Sequence, residues 1–163
     1  MNDPMTILKA DHREAKKLLT ALAESEEGSE REEMATKLEA ALTLHMQIEE
    51  SIIYPAVATN VGREDEEEAE IEHGLAREGL AKMMNMVEVP GFGAAVEMLK
   101  GGIEHHVDEE ENEILPALKE ALPRAEWLAL GDALAAAKAD AGQPVAPPRP
   151  RRSQKRKAGA GRR

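Results

Sequence analysis

His45–Pro55, HMQIEESIIYP, decides how the rest of the chain is read. His45 and Glu49 stand four residues apart, and Pro55 follows the histidine by ten. The same spacings return in His106–Pro116, HVDEEENEILP, where His106, Glu110 and Pro116 each lie 61 residues beyond their counterparts. The lone histidines His12 and His73 are separated by the same 61 residues, so one shift superposes every histidine except His105. Positions four apart on an α-helix differ by about 40° around the axis and 6 Å along it, so His45 and Glu49 share one face, as do His106 and Glu110.

A single HxxxE pair is ordinarily a solvated helix face. The repeat changes that, because four helices in a bundle would bring four histidines and two glutamates together. A buried carboxylate is costly unless it is paired or binds a cation. No inward Lys or Arg is evident, so the pattern predicts a metal at the centre of the bundle with His12, His45, Glu49, His73, His106 and Glu110 as ligands. The shift aligns His105 with Leu44, which predicts an exposed or supporting place for His105.

Composition sets the fold class. Aromatic residues are 2% of the 163, and cysteine is absent. Good helix formers dominate and strand formers are scarce, so the class is all-α. The lack of cysteine excludes disulfides and thiolate metal sites. The formal charge of −11 conceals an asymmetry, since Arg149–Arg163 carries eight Lys or Arg and no acid. The acidic body is unsuited to nucleic acid. Neither a signal peptide nor a membrane-length apolar run is evident, which makes a soluble cytoplasmic protein the expectation.

In chain order, Asp3-Pro4 reads as a helix start, with Ile7, Leu8, His12, Ala15, Leu19 and Leu22 on one stripe to about Glu24. Ser29 and Glu32 read as a capping box opening a second helix, whose inward face holds Met34, Leu38, Leu42, His45, Glu49 and Ile52. Pro55 should kink it. The acidic run from Arg63 opens a third helix with Ile71, His73, Leu80, Met83 and Val87 inward, ended by Pro90-Gly91. A fourth runs from about Phe92 to Leu118. Gly101 and Gly102, like Ala40 and Ala41 one repeat earlier, are either a close helix approach near the metal or tolerated mid-helix glycines. Pro123 opens a short fifth helix to about Lys138. The expected architecture is an up-and-down four-helix bundle over residues 1–140. A Pro-, Arg- and Lys-rich tail over 141–163 is expected to be disordered and solvated. Loose contact of that tail with nucleic acid or an acidic surface is the alternative.

Imidazole and carboxylate without thiolate suit iron, manganese or zinc. A ferritin-like site would need two Glu-x-x-His motifs, and only Glu70 with His73 fits. A lone His followed by HxxxE, twice, with YP and LP after the two motifs, resembles the hemerythrin-like (HHE cation-binding) family over residues 5 to about 120. The resemblance implies a four-helix bundle with a non-haem di-iron centre, oxo- or hydroxo-bridged. His12 and His45 would bind one iron, His73 and His106 the other, with Glu49 and Glu110 bridging. Oxygen-carrying members have a fifth histidine where this chain has Arg77. With about six sites per iron, that departure would leave an open position on each.

The resulting expectation is a di-iron protein that reacts with hydrogen peroxide in a catalase-like way, or with reactive nitrogen species. A module that binds O2, NO or iron without turnover is the alternative. Tyr54 is expected to pack in the core. A π-bulge relieving Pro55 would instead turn it toward the metal, as a ligand or radical quencher.

Overall fold

The computed structural model describes residues 1–143. The expected disordered tail from 144 onward, and any contact it makes, lie outside the described residues. Seven α-helices are present, and no strand occurs among the described residues: α1 Pro4–Ala23, α2 Ser29–Ile48, α3 Tyr54–Asn60, α4 Arg63–Met84, α5 Phe92–Glu109, α6 Leu115–Ala121 and α7 Arg124–Asp140. Two five-residue π-turns, Glu49–Ile53 and Glu110–Ile114, join α2 to α3 and α5 to α6 without a break. Five continuous helices result among the described residues, of which the first four make the bundle. They form a closed ring in which α1 meets α2 and α5, while α4 meets α5 and the α2–α3 helix, and α7 lies against α1.

The core is split. One cluster, including Leu19, Leu38, Met46, Met83, Phe92 and Val96, fills one end of the ring. Another, including Leu8, Ile53, Val57, Leu115, Leu118 and Trp127, fills the other. Between them the sequence places a polar layer, whose histidines and glutamates are as buried as the leucines on either side.

Several local expectations are corrected. Ser29 is not a cap: Gly28 precedes α2 at φ 144°, a conformation open to glycine, and helix geometry begins at Ser29 with no side-chain cap bond. Asp3 does precede α1, but its carboxylate reaches Lys119 at 3.6 Å rather than a backbone amide. Ile71 is 65% exposed. It is two residues from His73, about 200° round the helix, so both cannot face inward. Ala69, His73, Ala76, Leu80 and Met83 form the inward stripe instead. Helix α4 ends at Met84, and turns carry the chain through Val87 to Phe92. Gly101 and Gly102 do not mark a close approach, since a Cβ added at either meets nothing within 4 Å.

No helix of the described residues is long and apolar enough to cross a membrane.

Candidate metal centre

Each ligand candidate is delivered by its helix face: His12 by α1, His45 and Glu49 by α2 and its π-turn, His73 by α4, His106 and Glu110 by α5 and its π-turn. All six are buried, the two glutamates completely. Their metal-facing atoms converge. His12 Nε2 lies 3.1 Å from His45 Nε2, and His73 Nε2 lies 3.2 Å from His106 Nε2. Two nitrogens each about 2.1 Å from one ion at right angles would sit roughly 3.0 Å apart, so each pair is spaced to share a cation. Glu49 Oε2 approaches His45 at 3.1 Å and His73 at 3.3 Å, while Glu110 Oε2 approaches His12 at 3.2 Å. Two clusters result, His12/His45/Glu49/Glu110 and Glu49/His73/His106, with Glu49 common to both.

The donor set fits cations. All four carboxylate oxygens of Glu49 and Glu110 are buried with no hydrogen-bond partner. A buried carboxylate of this kind costs several kcal/mol unless positive charge faces it. The electrostatics of the metal-free protein report the same demand. Burial alone would lower the His45 pKa and raise that of Glu49. The field of Glu49, with Asp11 and Glu110 beyond it, instead pushes His45 up to about 10. His45, His73 and His12 hold Glu49 well below the usual carboxylate range. A proton on His45 thus supplies positive charge to Glu49.

Sequence reasoning missed the groups behind the histidines. His12 Nδ1 meets Glu111 Oε1 at 2.8 Å, His73 Nδ1 meets Glu50 Oε1 at 2.9 Å, and His106 Nδ1 meets Glu72 Oε2 at 2.7 Å. Asp11 Oδ2 stands 3.6 Å from His45 Nδ1. At His12, His73 and His106 the carboxylate accepts the Nδ1–H, which leaves Nε2 as the ligating nitrogen, whereas Asp11 and His45 Nδ1 are too far apart for a hydrogen bond and meet as charges. These acids obey the 61-residue shift too: Asp11 and Glu72 precede the lone histidines, and Glu50 and Glu111 follow the two glutamates. The doublets DH, EH, EE and EE were therefore a readable signal. Cations back three of the four acids: Lys9 on Glu111 at 3.2 Å, Arg77 on Glu50 at 2.7 Å and Lys138 on Asp11. Arg77 therefore faces the outer side of Glu50, away from the centre. Lys138 is buried and comes from α7.

The π-turn turns Tyr54 inward. Pro55 has no N–H and its ring crowds the carbonyl four residues back. The widened turn relieves this, and the Tyr54 amide donates to the Glu49 carbonyl five residues earlier. Tyr54 is 1% exposed, and its hydroxyl lies 2.9 Å from His73 Nε2. Leu115 donates to Glu110 in the same way and is the apolar counterpart. His105 is 64% exposed and outside the centre, as the repeat predicts.

A cleft of about 520 Å³ reaches the centre and touches His12, His45, His73 and His106. Ala10, Ala15, Ala40 and Ala41 form part of its wall, and Lys37, Glu14 and Lys138 also border it. The small residues one turn before His45 thus border this cleft.

The profile of the Hemerythrin HHE cation binding domain matches residues 3–118. A solved structure, the Hemerythrin HHE cation binding domain-containing protein from Mycobacterium kansasii, is 28% identical, with a TM-score of 0.76 over 86% of this chain and 87% of that one. No curated protein matches the chain. Helix α7, which supplies Lys138, lies beyond the matched residues but packs on α1 and closes the shell around His45. With its six candidate ligands inside the matched span, this chain belongs to the hemerythrin HHE cation-binding domain family.

Proposed function

We propose that the protein holds two iron ions and disproportionates hydrogen peroxide. The carrying observation is the pair of two-histidine clusters joined through Glu49, with Arg77 drawn off to Glu50 so that no fifth imidazole fills the coordination sphere. When bound, two adjacent irons would supply the two electrons that reduce one peroxide to water and accept two from a second peroxide, releasing O2. The residues have separate tasks. His12, His45, His73 and His106 present Nε2, and in His12, His73 and His106 that tautomer is held by Glu111, Glu50 and Glu72. Glu49 and Glu110 supply the negative charge that keeps both cations close. The cleft admits a small solute. Tyr54, with its hydroxyl 2.9 Å from His73 Nε2, would ligate the adjacent iron or quench a radical there. Purified protein should carry about two irons per chain and evolve O2 from peroxide, and His106→Ala should abolish both. Iron-loaded protein without turnover would refute the enzymatic reading.

A second reading, reversible O2 or NO binding, is favoured by the alanine-rich wall of the cleft, which suits a neutral diatomic. An optical band that forms under O2 and vanishes under vacuum would support it. Decay to a ferric state would oppose it.

A further inference from the structure

Three of the four acids behind the histidines carry a fixed cation on their outer side: Lys9 on Glu111, Arg77 on Glu50, Lys138 on Asp11. Glu72 is the exception. Its Oε2 accepts from His106, while its Oε1 faces His105 Nε2 at 3.3 Å. The same nitrogen lies 3.4 Å from Glu109 Oε1. Both distances are long for a charge-assisted hydrogen bond, which runs about 2.7–2.9 Å. They suit donors that share one ion, since atoms about 2.1 Å from a metal at tetrahedral angles lie roughly 3.4 Å apart, and the two carboxylates lie within 4.8 Å of each other.

We propose that Glu72, His105 and Glu109 form a second, solvent-open site for a divalent transition cation such as zinc or ferrous iron. Its occupancy is felt at the buried centre through Glu72. One imidazole and two carboxylates are a fitting donor set for these ions. His105 and Glu109 are four apart on α5, so they share a face, and Glu72 comes from α4, so the site is not one helix's accident. It also breaks the repeat. The positions 61 residues before His105 and Glu109 are Leu44 and Ile48, so the other half of the bundle has no such trio. There Lys138 supplies the charge that a cation would supply here. A metal on Oε1 withdraws electron density from the carboxylate that accepts the His106 Nδ1–H, so it alters the imidazole that faces the centre.

The test uses the full chain as purified, dialysed against zinc, beside His105→Ala and Glu109→Gln. The wild type should gain one zinc per chain without losing iron, and both variants should bind that zinc at least tenfold more weakly. Zinc should also shift the optical bands of the iron centre in the wild type and not in Glu109→Gln. Equal uptake by all three proteins, or zinc gained only as iron is lost, would overturn the site. Uptake with no optical shift would overturn the coupling. A preparation without iron would defeat the di-iron reading, yet the difference in zinc between wild type and variants would still decide this one.

Discussion

Tyr54→Phe removes a single oxygen atom and leaves the ring packed where it is. In the metal-free protein that oxygen makes one buried contact, to His73 Nε2 at 2.9 Å. The nitrogen is not orphaned by its loss, because Glu49 Oε2 at 3.3 Å and His106 Nε2 at 3.2 Å remain. The cost is therefore that of one ordinary hydrogen bond, about 1 kcal/mol, or roughly 3 °C in Tm for a domain of this size. The iron-loaded protein should behave differently. Without metal, burial and the charges of Glu49, Glu110, Glu50 and Glu72 push the phenol pKa well above 10. Cations between Glu49 and Glu110 reverse that field and favour the phenolate. Losing a buried charged ligand costs about 3–5 kcal/mol, or roughly 10 °C or more. Calorimetry on metal-free and iron-loaded samples measures both shifts. Visible spectra should show loss of a phenolate-to-ferric charge-transfer band. Equal shifts in the two states with unchanged spectra would refute the ligand role and leave Tyr54 as packing.

The pH dependence of stability should change sign with metal. In the metal-free protein the raised His45 pKa contributes stability that is complete below about 6.5 and is lost as pH rises toward about 10. The loaded protein needs neutral imidazoles, so it should instead lose metal and stability on acidification, a contrast that melting curves across this range will show. Lys138→Met should destabilise by about 1.5–3 kcal/mol, because it removes a charge-assisted hydrogen bond from the part-buried Asp11 and leaves it His45 alone. Lys9→Met, at a more exposed pair, should cost at most about 1 kcal/mol, and similar denaturation midpoints for the two would sink the distinction. Gly101→Ala should stabilise by roughly 1 kcal/mol with metal content unchanged. Gly28→Ala, forced to φ 144°, should lose about 1–3 kcal/mol in urea titrations.

The bundle and its six candidate ligands were legible because they rest on periodicity. Helix faces repeat at 3.6 residues and the two halves at 61, so His12, His45, Glu49, His73, His106 and Glu110 stand out even in a chain where 33% of residues are charged. That same abundance hid Asp11, Glu50, Glu72 and Glu111, since one more acid on a helix says nothing until its partner is known. Lys138 had no counterpart in the repeat, and only the packing of α7 on α1 brings it to Asp11. Ser29 and Ile71 failed on local geometry. A glycine conformation moved the helix start, and a two-residue offset from His73 was incompatible with a shared face.

Each π-turn holds one residue more than an α-helical turn of the same rise. That surplus makes the centre sensitive to a kind of mutation that substitution scans never sample. An α-helix advances about 100° per residue. Deleting one codon between Glu49 and Tyr54 could restore regular helix while rotating everything beyond it, leaving composition and helix content almost untouched. What faces His73 would then be a different side chain. Length, beside residue identity, is thus a variable through which one half of this bundle can diverge chemically from the other.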